Sequence, residues 1–398
     1  MNRHMNNSKT FCTLPFVHSH NSSSGNFKPC CNAHGPDCPP DATNENYTLN
    51  TWFHSDYMNQ LRTDMLEGRR NPMCTRCWND EDRSGHSIRT RMNERYGSIC
   101  DVDRPQIKYL DLKLTNQCNL QCMMCSPGSS DKIASEAQQM AQQGFDVPYN
   151  YRGGPQRRTL LKQPDSFIKE VDTLLPYIVH LKITGGEPVI QPEVLALLDT
   201  AIAQGYSKNI ELNLTTNGTK FNRRLLDKIA QFKTVKFNIS VDGYGSVYDY
   251  IRYPFKWEKW LERIDEIKQY DIKCSYTAVP QLLNIENLHK LQQHITQQGD
   301  NLYLNNYLHP DGIWNSLDII PPNILQYAVH HIKPEPNSII LINYIKQLLD
   351  KPNTVQQWRL DDMVTTLKTF DTMRNRHYSD YLERRTVEFI RQSGYTAR

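Results

Sequence analysis

The sequence predicts an α/β protein. Six parallel strands form an open or partial barrel over residues 105–310, with a small cysteine-rich domain before it (1–97) and a helical region after it (311–398). Three observations carry this reading. From about Pro105, strand-length apolar runs alternate with helix-length ones through short links, which means βα units and a parallel sheet. Before that point the chain is rich in Cys, Asn, Ser, Pro and His and has little periodicity. Past residue 311 the strand signals stop.

In the first segment, Trp52, Phe53, Tyr57, Leu61 and Met65 recur at helical spacing and predict one helix within Thr51–Gly68. Apolar content is otherwise thin there, so a metal is expected to hold the segment folded. The barrel strands are Tyr109–Thr115, His180–Thr184, Ile210–Thr216, Lys236–Val241, Ile272–Val279 and Asn301–Tyr307. Helices are expected near 131–143, 192–204, 221–231, 256–269 and 285–297, and residues 144–165 read as an inserted loop. The C-terminal helices fall near 322–332, 337–350 and 359–386.

Successive residues of a strand face opposite sides of the sheet, and these strands sort by that rule. Leu110, Leu112, Leu114, Leu181, Ile183, Leu212, Leu214, Phe237, Ile239, Val241, Leu302 and Leu304 make one set. Their alternates are Asp111, Lys113, Lys182, Thr184, Asn213, Thr215, Asn217, Asn238, Ser240, Asp242, Tyr303, Asn305 and Tyr307. Closed eight-stranded barrels fill their interior with branched apolar side chains. A polar interior, whose groups need partners, implies an open lumen holding polar ligands, with the apolar set under the helices. Ser275 and Thr277 join the polar face. Cys274 falls with Ile272 and Tyr276 on the other, as a packing residue rather than a hydrogen-atom donor.

Lys plus Arg number 46 and Asp plus Glu 43, a net +3 that speaks against a general nucleic-acid or membrane-surface binder. No run of about 18 apolar residues exists to cross a membrane. The opening MNRHMNNSKT lacks an apolar secretory core, so a cytoplasmic location is expected. In a reducing compartment the eleven cysteines point to metal or redox use.

The sharpest motif is Cys118-Asn-Leu-Gln-Cys122-Met-Met-Cys125, just after the first barrel strand. Three thiolates at spacings of four and three can hold three corners of a [4Fe–4S] cluster and leave one iron open to a ligand. Structural zinc is the alternative, but it needs four ligands and no fourth Cys or His lies close in sequence. Gly185-Gly186-Glu187-Pro188 ends the second strand. Its glycines permit close approach to the backbone, and its carboxylate can receive an ammonium group. Alone, it also fits an ordinary strand-to-helix turn with proline near the helix start.

In this order, with Thr215-Thr216-Asn217-Gly218, Ser240-Val241-Asp242-Gly243 and Arg252 following, the sequence resembles the radical SAM superfamily. The resemblance covers roughly residues 105–310 and implies a partial (β/α)6, TIM-like barrel. It implies that S-adenosylmethionine chelates the open iron of a [4Fe–4S] cluster on Cys118, Cys122 and Cys125, the catalytic centre. An electron from the cluster then splits the sulfonium into methionine and a 5′-deoxyadenosyl radical, which removes hydrogen from the substrate. By motif, Gly185, Gly186 and Glu187 meet the SAM amino group. Thr215, Thr216 or Asn217, with Ser240, meet the ribose or carboxylate, and Arg252 is a further candidate for the carboxylate. Met124 departs from the aromatic residue usual before the third cysteine, and as a soft apolar side chain it can still rest on adenine.

A second constellation joins Cys12, Cys30 or Cys31, and Cys74-Thr75-Arg76-Cys77. Four thiolates suffice to close a site, as structural zinc or as a second iron–sulfur cluster. The stretch resembles a twitch domain, the short relative of the SPASM domain that carries an auxiliary [4Fe–4S] cluster, here placed before the core. That resemblance implies Cys12, Cys30, Cys74 and Cys77 as ligands, with Cys31 able to replace Cys30. Cys38 and Cys100 are spare thiols. Arg83, Arg89, Arg91 and Arg95 read as a solvated connector. The aromatics Tyr248, Tyr250, Tyr253, Phe255, Trp257 and Trp260 read as core.

The expected function is radical modification of a peptide or protein side chain. Oxidation or rearrangement of a small polar molecule is the alternative, and a non-catalytic zinc-stabilised binding protein the remote one. An electron donor such as flavodoxin or ferredoxin is the implied partner.

Overall fold

The computed structural model describes residues 9–21, 27–33, 48–152, 164–304, 314–351 and 355–396. Cys38, Asn305, Tyr307 and the side chain of Arg83 lie outside the described set. Strands β1 (His18–Asn21), β2 (Phe27–Lys28), β3 (Tyr109–Lys113), β4 (His180–Thr184), β5 (Glu211–Thr216), β6 (Thr234–Ser240), β7 (Ile272–Thr277) and β8 (Leu302–Tyr303) form one sheet in the order β2-β1-β3-β4-β5-β6-β7-β8. The last six are the expected barrel strands. The pairs β3–β4, β4–β5 and β7–β8 are parallel.

The first two strands were not expected. β1 lies parallel to β3, and β2 returns antiparallel to it. The sequence of β1, His-Ser-His-Asn, has no branched apolar residue to announce a strand. Pairing makes it one. The amide of Asn21 extends the ladder, donating from Nδ2 to the Lys113 carbonyl (2.9 Å) and accepting at Oδ1 from the Lys113 N–H (2.7 Å).

The chain divides into two compact units. One comprises Met1–Asn116, Arg158–Leu214 and Lys228–Val235; the other comprises Gln117–Arg157, Thr215–Asp227 and Lys236–Arg398. The cysteine-rich segment therefore shares a unit with β3 and β4.

In the first unit Leu110, Leu112, Leu181, Ile183, Leu212 and Leu214 are each at most 1% exposed. Burying a leucine or isoleucine side chain is worth about 1.5–3 kcal/mol, so a one-residue register slip that turned this set to the polar face is strongly disfavoured. In the second unit the Phe237 ring lies 4.8 Å from Phe221, and Tyr276 lies edge-on to Trp260 at 5.9 Å. On the opposite face Thr277 Oγ1 donates to Asn238 Oδ1 (2.7 Å). Cys274 has its thiol pushed up to about 12, by burial and then by Asp300, in line with a packing role.

The expected helices form at Asp131–Gln142, Pro192–Ala203, Arg223–Ile229, Trp257–Ile267 and Leu288–Gln297. Two predicted helices are split. Within 51–68 a break at Ser55, which caps the second helix by accepting from the Met58 N–H, separates Leu49–Phe53 from Asp56–Leu66. Within 359–386, Asn375 adopts a left-handed φ of 47° and ends Gln357–Arg374. A further helix, Pro164–Leu174, follows the expected inserted loop.

Two histidines are buried in the first unit. His18, Tyr109 and His180 align in register across β1, β3 and β4 and stack at 4.2 and 4.5 Å. Burial lowers the pKa of His18 to about 4 and that of His180 to about 3. Both stay neutral where the unfolded chain, with a pKa of about 6.5, binds protons. Stability is therefore complete above pH 6.5 and falls as pH drops toward 4, by about 1.4 kcal/mol per pH unit for each histidine. Urea midpoints recorded from pH 7.5 to 5 should fall, and less steeply for His180→Gln. A midpoint independent of pH over that range would contradict the burial.

Candidate active site

In the second unit Cys118, Cys122 and Cys125 lie on one irregular loop whose backbone is held along its length. Cys118 N–H donates to Asp131 Oδ1 (2.9 Å), and Cys125 N–H to the Cys122 carbonyl (3.0 Å). Gln121 N–H donates to the Tyr253 carbonyl (2.8 Å), and Met123 N–H to that of Ile251 (3.0 Å). The Asn150 amide donates to the carbonyls of Met123 (3.2 Å) and Cys125 (2.9 Å). Arg374, paired with Glu136 at 2.7 Å, donates to the Gln121 carbonyl (2.9 Å). Neither Asn150 nor Arg374 stands out in a reading of the chain, because their work is done on backbone atoms remote from them in sequence.

Cys122 is buried, and Cys118 and Cys125 are half-buried. Burial pushes the Cys122 thiol up to about 12, while the nearby Arg252 guanidinium pulls the other way. Three soft sulfur donors on one fixed loop fit the open [4Fe–4S] cluster expected from the spacing. Met123 is in the core, whereas Met124 is partly accessible.

Residues after β5 support this loop. Asn217 Nδ2 donates to Asn119 Oδ1 (3.0 Å), and Asn119 Nδ2 to Thr219 Oγ1 (2.8 Å). Asn217 Oδ1 accepts from the Thr219 N–H (3.0 Å). The Asn217 side chain, expected to face a ligand, thus holds the loop through Asn119, which sequence reasoning missed. Thr215 is half-buried, while Thr216 is buried and accepts from the Gly218 N–H at 3.0 Å. Ser240, at the end of β6, is half-buried. Arg252 is buried and forms a close ion pair with Asp242, whose other oxygen accepts from the Val279 N–H (2.8 Å). The Arg252 Nε–H has no partner among the described residues.

In the first unit the turn after β4 is tight. Gly185 has a φ of +110°, and a Cβ there would stand 2.8 Å from the Thr115 carbonyl oxygen and 3.1 Å from Lys113 Cγ. The Gly186 N–H donates to that same carbonyl (3.2 Å). Glu187 is fully buried.

Residues 112–295, which include the three cysteines, the Gly185-Gly186-Glu187-Pro188 turn, Asn217, Ser240 and Arg252, match the Radical SAM superfamily. They form a radical SAM domain. The chain is 26% identical over 176 residues to a GTP 3′,8-cyclase of Aliarcobacter butzleri, covering 44% of this chain and 47% of that one. It is 22% identical over 220 residues to an AdoMet-dependent heme synthase of Methanosarcina barkeri, covering 55% of each. It thus spans about half the length of these relatives. The solved structure of SuiB from Streptococcus suis bound to S-adenosylmethionine is similar at a TM-score of 0.39 and 13% identity, over 74% of this chain and 60% of that one.

The second thiol group lies before the radical SAM domain, within the first unit. The Cys12 thiol is pushed up by burial and then by Cys30, Cys74 and Cys77, so these four are within electrostatic range of one another. Cys30 likewise feels Cys74 and Cys77, whereas Cys31 is exposed and feels Lys182, Asp111 and Arg76. Among the described residues, no three His, Cys, Asp or Glu side chains stand close enough to hold a single metal ion. Arg89, expected to be solvated, is buried. It grips Glu81 through two nitrogens and donates to the Phe11 carbonyl beside Cys12. Arg95 bonds Glu211, and Arg91 is exposed. Tyr248, Tyr250, Trp257 and Trp260 are core, as expected.

The crowding at Gly185 predicts that Gly185→Ala destabilises the protein by about 1–3 kcal/mol, through strain at positive φ and the clash with Thr115. Chemical denaturation measures this, and an unchanged midpoint would show that the turn relaxes freely.

Proposed function

We propose that the chain is a radical SAM enzyme that modifies a peptide or protein side chain. It would carry a [4Fe–4S] cluster on Cys118, Cys122 and Cys125 and an auxiliary one on Cys12, Cys30, Cys74 and Cys77 in a twitch-like region. The observation that carries the reading is the cysteine loop: three thiols fixed by backbone hydrogen bonds inside the radical SAM domain. When bound, the cluster supplies the electron for reductive cleavage of S-adenosylmethionine, drawn from a donor such as flavodoxin or ferredoxin. The protein's own part is binding and orientation. The buried Arg252 charge favours the Cys122 thiolate. Glu187 receives the SAM ammonium at the Gly185–Gly186 turn. Thr215, Thr216 and Ser240 serve the ribose and carboxylate, and Met124 the adenine. The four first-unit thiols, mutually within electrostatic range, support the auxiliary cluster.

A second reading, chemistry on a small molecule, is favoured by the relatives named as a GTP cyclase and a heme synthase. No helix among the described residues is long and apolar enough to cross a membrane. A cytoplasmic location fits the reduced thiols the proposal requires.

Replacing Cys118, Cys122 and Cys125 together by Ala should abolish 5′-deoxyadenosine formation by the anaerobic, dithionite-reduced protein. Undiminished product would sink the reading. Replacing Cys12, Cys30, Cys74 and Cys77 should lower iron by about four per chain, the content of one such cluster, while some SAM cleavage persists. Iron content equal to wild type would remove the auxiliary cluster from the proposal.

A further inference from the structure

On the polar face of the first unit one row runs across four strands. His20 of β1 pairs in register with Asp111 of β3, Asp111 with Lys182 of β4, and Lys182 with Asn213 of β5. Lys182 Nζ donates to Asp111 Oδ2 (2.8 Å), and His20 Nδ1 lies 3.4 Å from the same oxygen. Asp111 is 1% exposed, yet its Oδ1 has no hydrogen-bond partner among the described residues, and neither does the buried Asn213 Oδ1. A buried polar atom left unpaired costs about 1–3 kcal/mol, so two in one row mark a place where a partner is missing.

The chemistry of the gap defines that partner. The open oxygens of Asp111 and Asn213 are acceptors, so the ligand must present N–H or O–H to them; His20 Nδ1, at the end of the row, is likewise without a hydrogen bond among the described residues. Lys182 already neutralises Asp111, so no cation is called for. A carboxylate would set a negative charge against two acceptor oxygens. Lys182 spends one of its three hydrogens on Asp111, and its side chain keeps 26% of its exposure, so it can also donate to a ligand carbonyl. An amide supplies both halves, N–H for the carboxylate and C=O for the lysine. Asp111 and Asn213 are two strands apart, about 10 Å, which is the length of about three extended residues.

We propose that the Asp111–Lys182–Asn213 row is a substrate subsite that binds uncharged amide groups, as in a peptide backbone. This deepens the peptide-modification reading and rests on it. A nucleobase lactam offers the same donor–acceptor pair, so the experiment separates the two sources.

Saturation-transfer NMR on the full-length protein would compare N-acetylglycinamide, guanosine, acetate and methylammonium. N-acetylglycinamide should give the strong signal, with acetate and methylammonium at least tenfold weaker. Its dissociation constant should rise at least tenfold in Asn213→Leu and in the double variant Asp111→Leu/Lys182→Met. The double variant removes both charges, so neither is left buried alone. Circular dichroism of each variant reports folding. Acetate or methylammonium binding as well as the amide, or variants that bind N-acetylglycinamide like wild type, would overturn the subsite. Guanosine bound at the row, with N-acetylglycinamide silent, would support the donor–acceptor site and overturn the peptide reading. Binding of N-acetylglycinamide with no SAM cleavage by the reduced wild type would leave the subsite standing and remove the enzymatic reading.

Discussion

A β-strand sends alternate side chains to opposite faces, and one face can be apolar only if the other is spared. Every strand of the radical SAM domain obeys this constraint, and the rest of the structure depends on it. The leucines and isoleucines of β3, β4 and β5 fill one side completely. Their neighbours Asp111, Lys182 and Asn213 then have to lie together on the other. A polar face of that kind is costly in a closed, dry interior and useful in one that admits a ligand.

The cysteine loop solves a different problem. A segment without regular structure has no ladder of its own, and its thiols hold a geometry only if other residues fix its backbone. Asp131, Asn150 and Arg374 lie on helices and turns outside the loop; Asp131 and Arg374 each meet one of its peptide groups and Asn150 meets two. Asn119 adds a side-chain clasp to Asn217 and Thr219. The buried Arg374–Glu136 pair is suited to that task because its guanidinium cannot lose its proton and presents several donors in a fixed plane.

Much of this was legible in the sequence, for identifiable reasons. The six barrel strands carry a period of two in large apolar residues, and the cysteine triplet stands out by its spacing. β1 was not legible, because His-Ser-His-Asn forms a strand only by borrowing the edge of β3. The breaks at Ser55 and Asn375 depend on a side-chain cap and a left-handed residue, which interrupt a helical pattern without erasing it. Arg89 looked like solvent-facing charge because nothing local reveals Glu81 and the Phe11 carbonyl as its partners. The bond of Asn217 to Asn119 was not legible, since the two stand 98 residues apart.

The bond from Arg374 to the Gln121 carbonyl joins residues 253 apart in sequence. During synthesis the three cysteines leave the ribosome long before that arginine does. At about 5–20 residues per second, roughly ten to fifty seconds pass before the clasp can close. Over that interval the thiols sit on a loop missing one of its fastenings. The loop therefore gains its full set of backbone hydrogen bonds only once the helix Gln357–Arg374 has emerged.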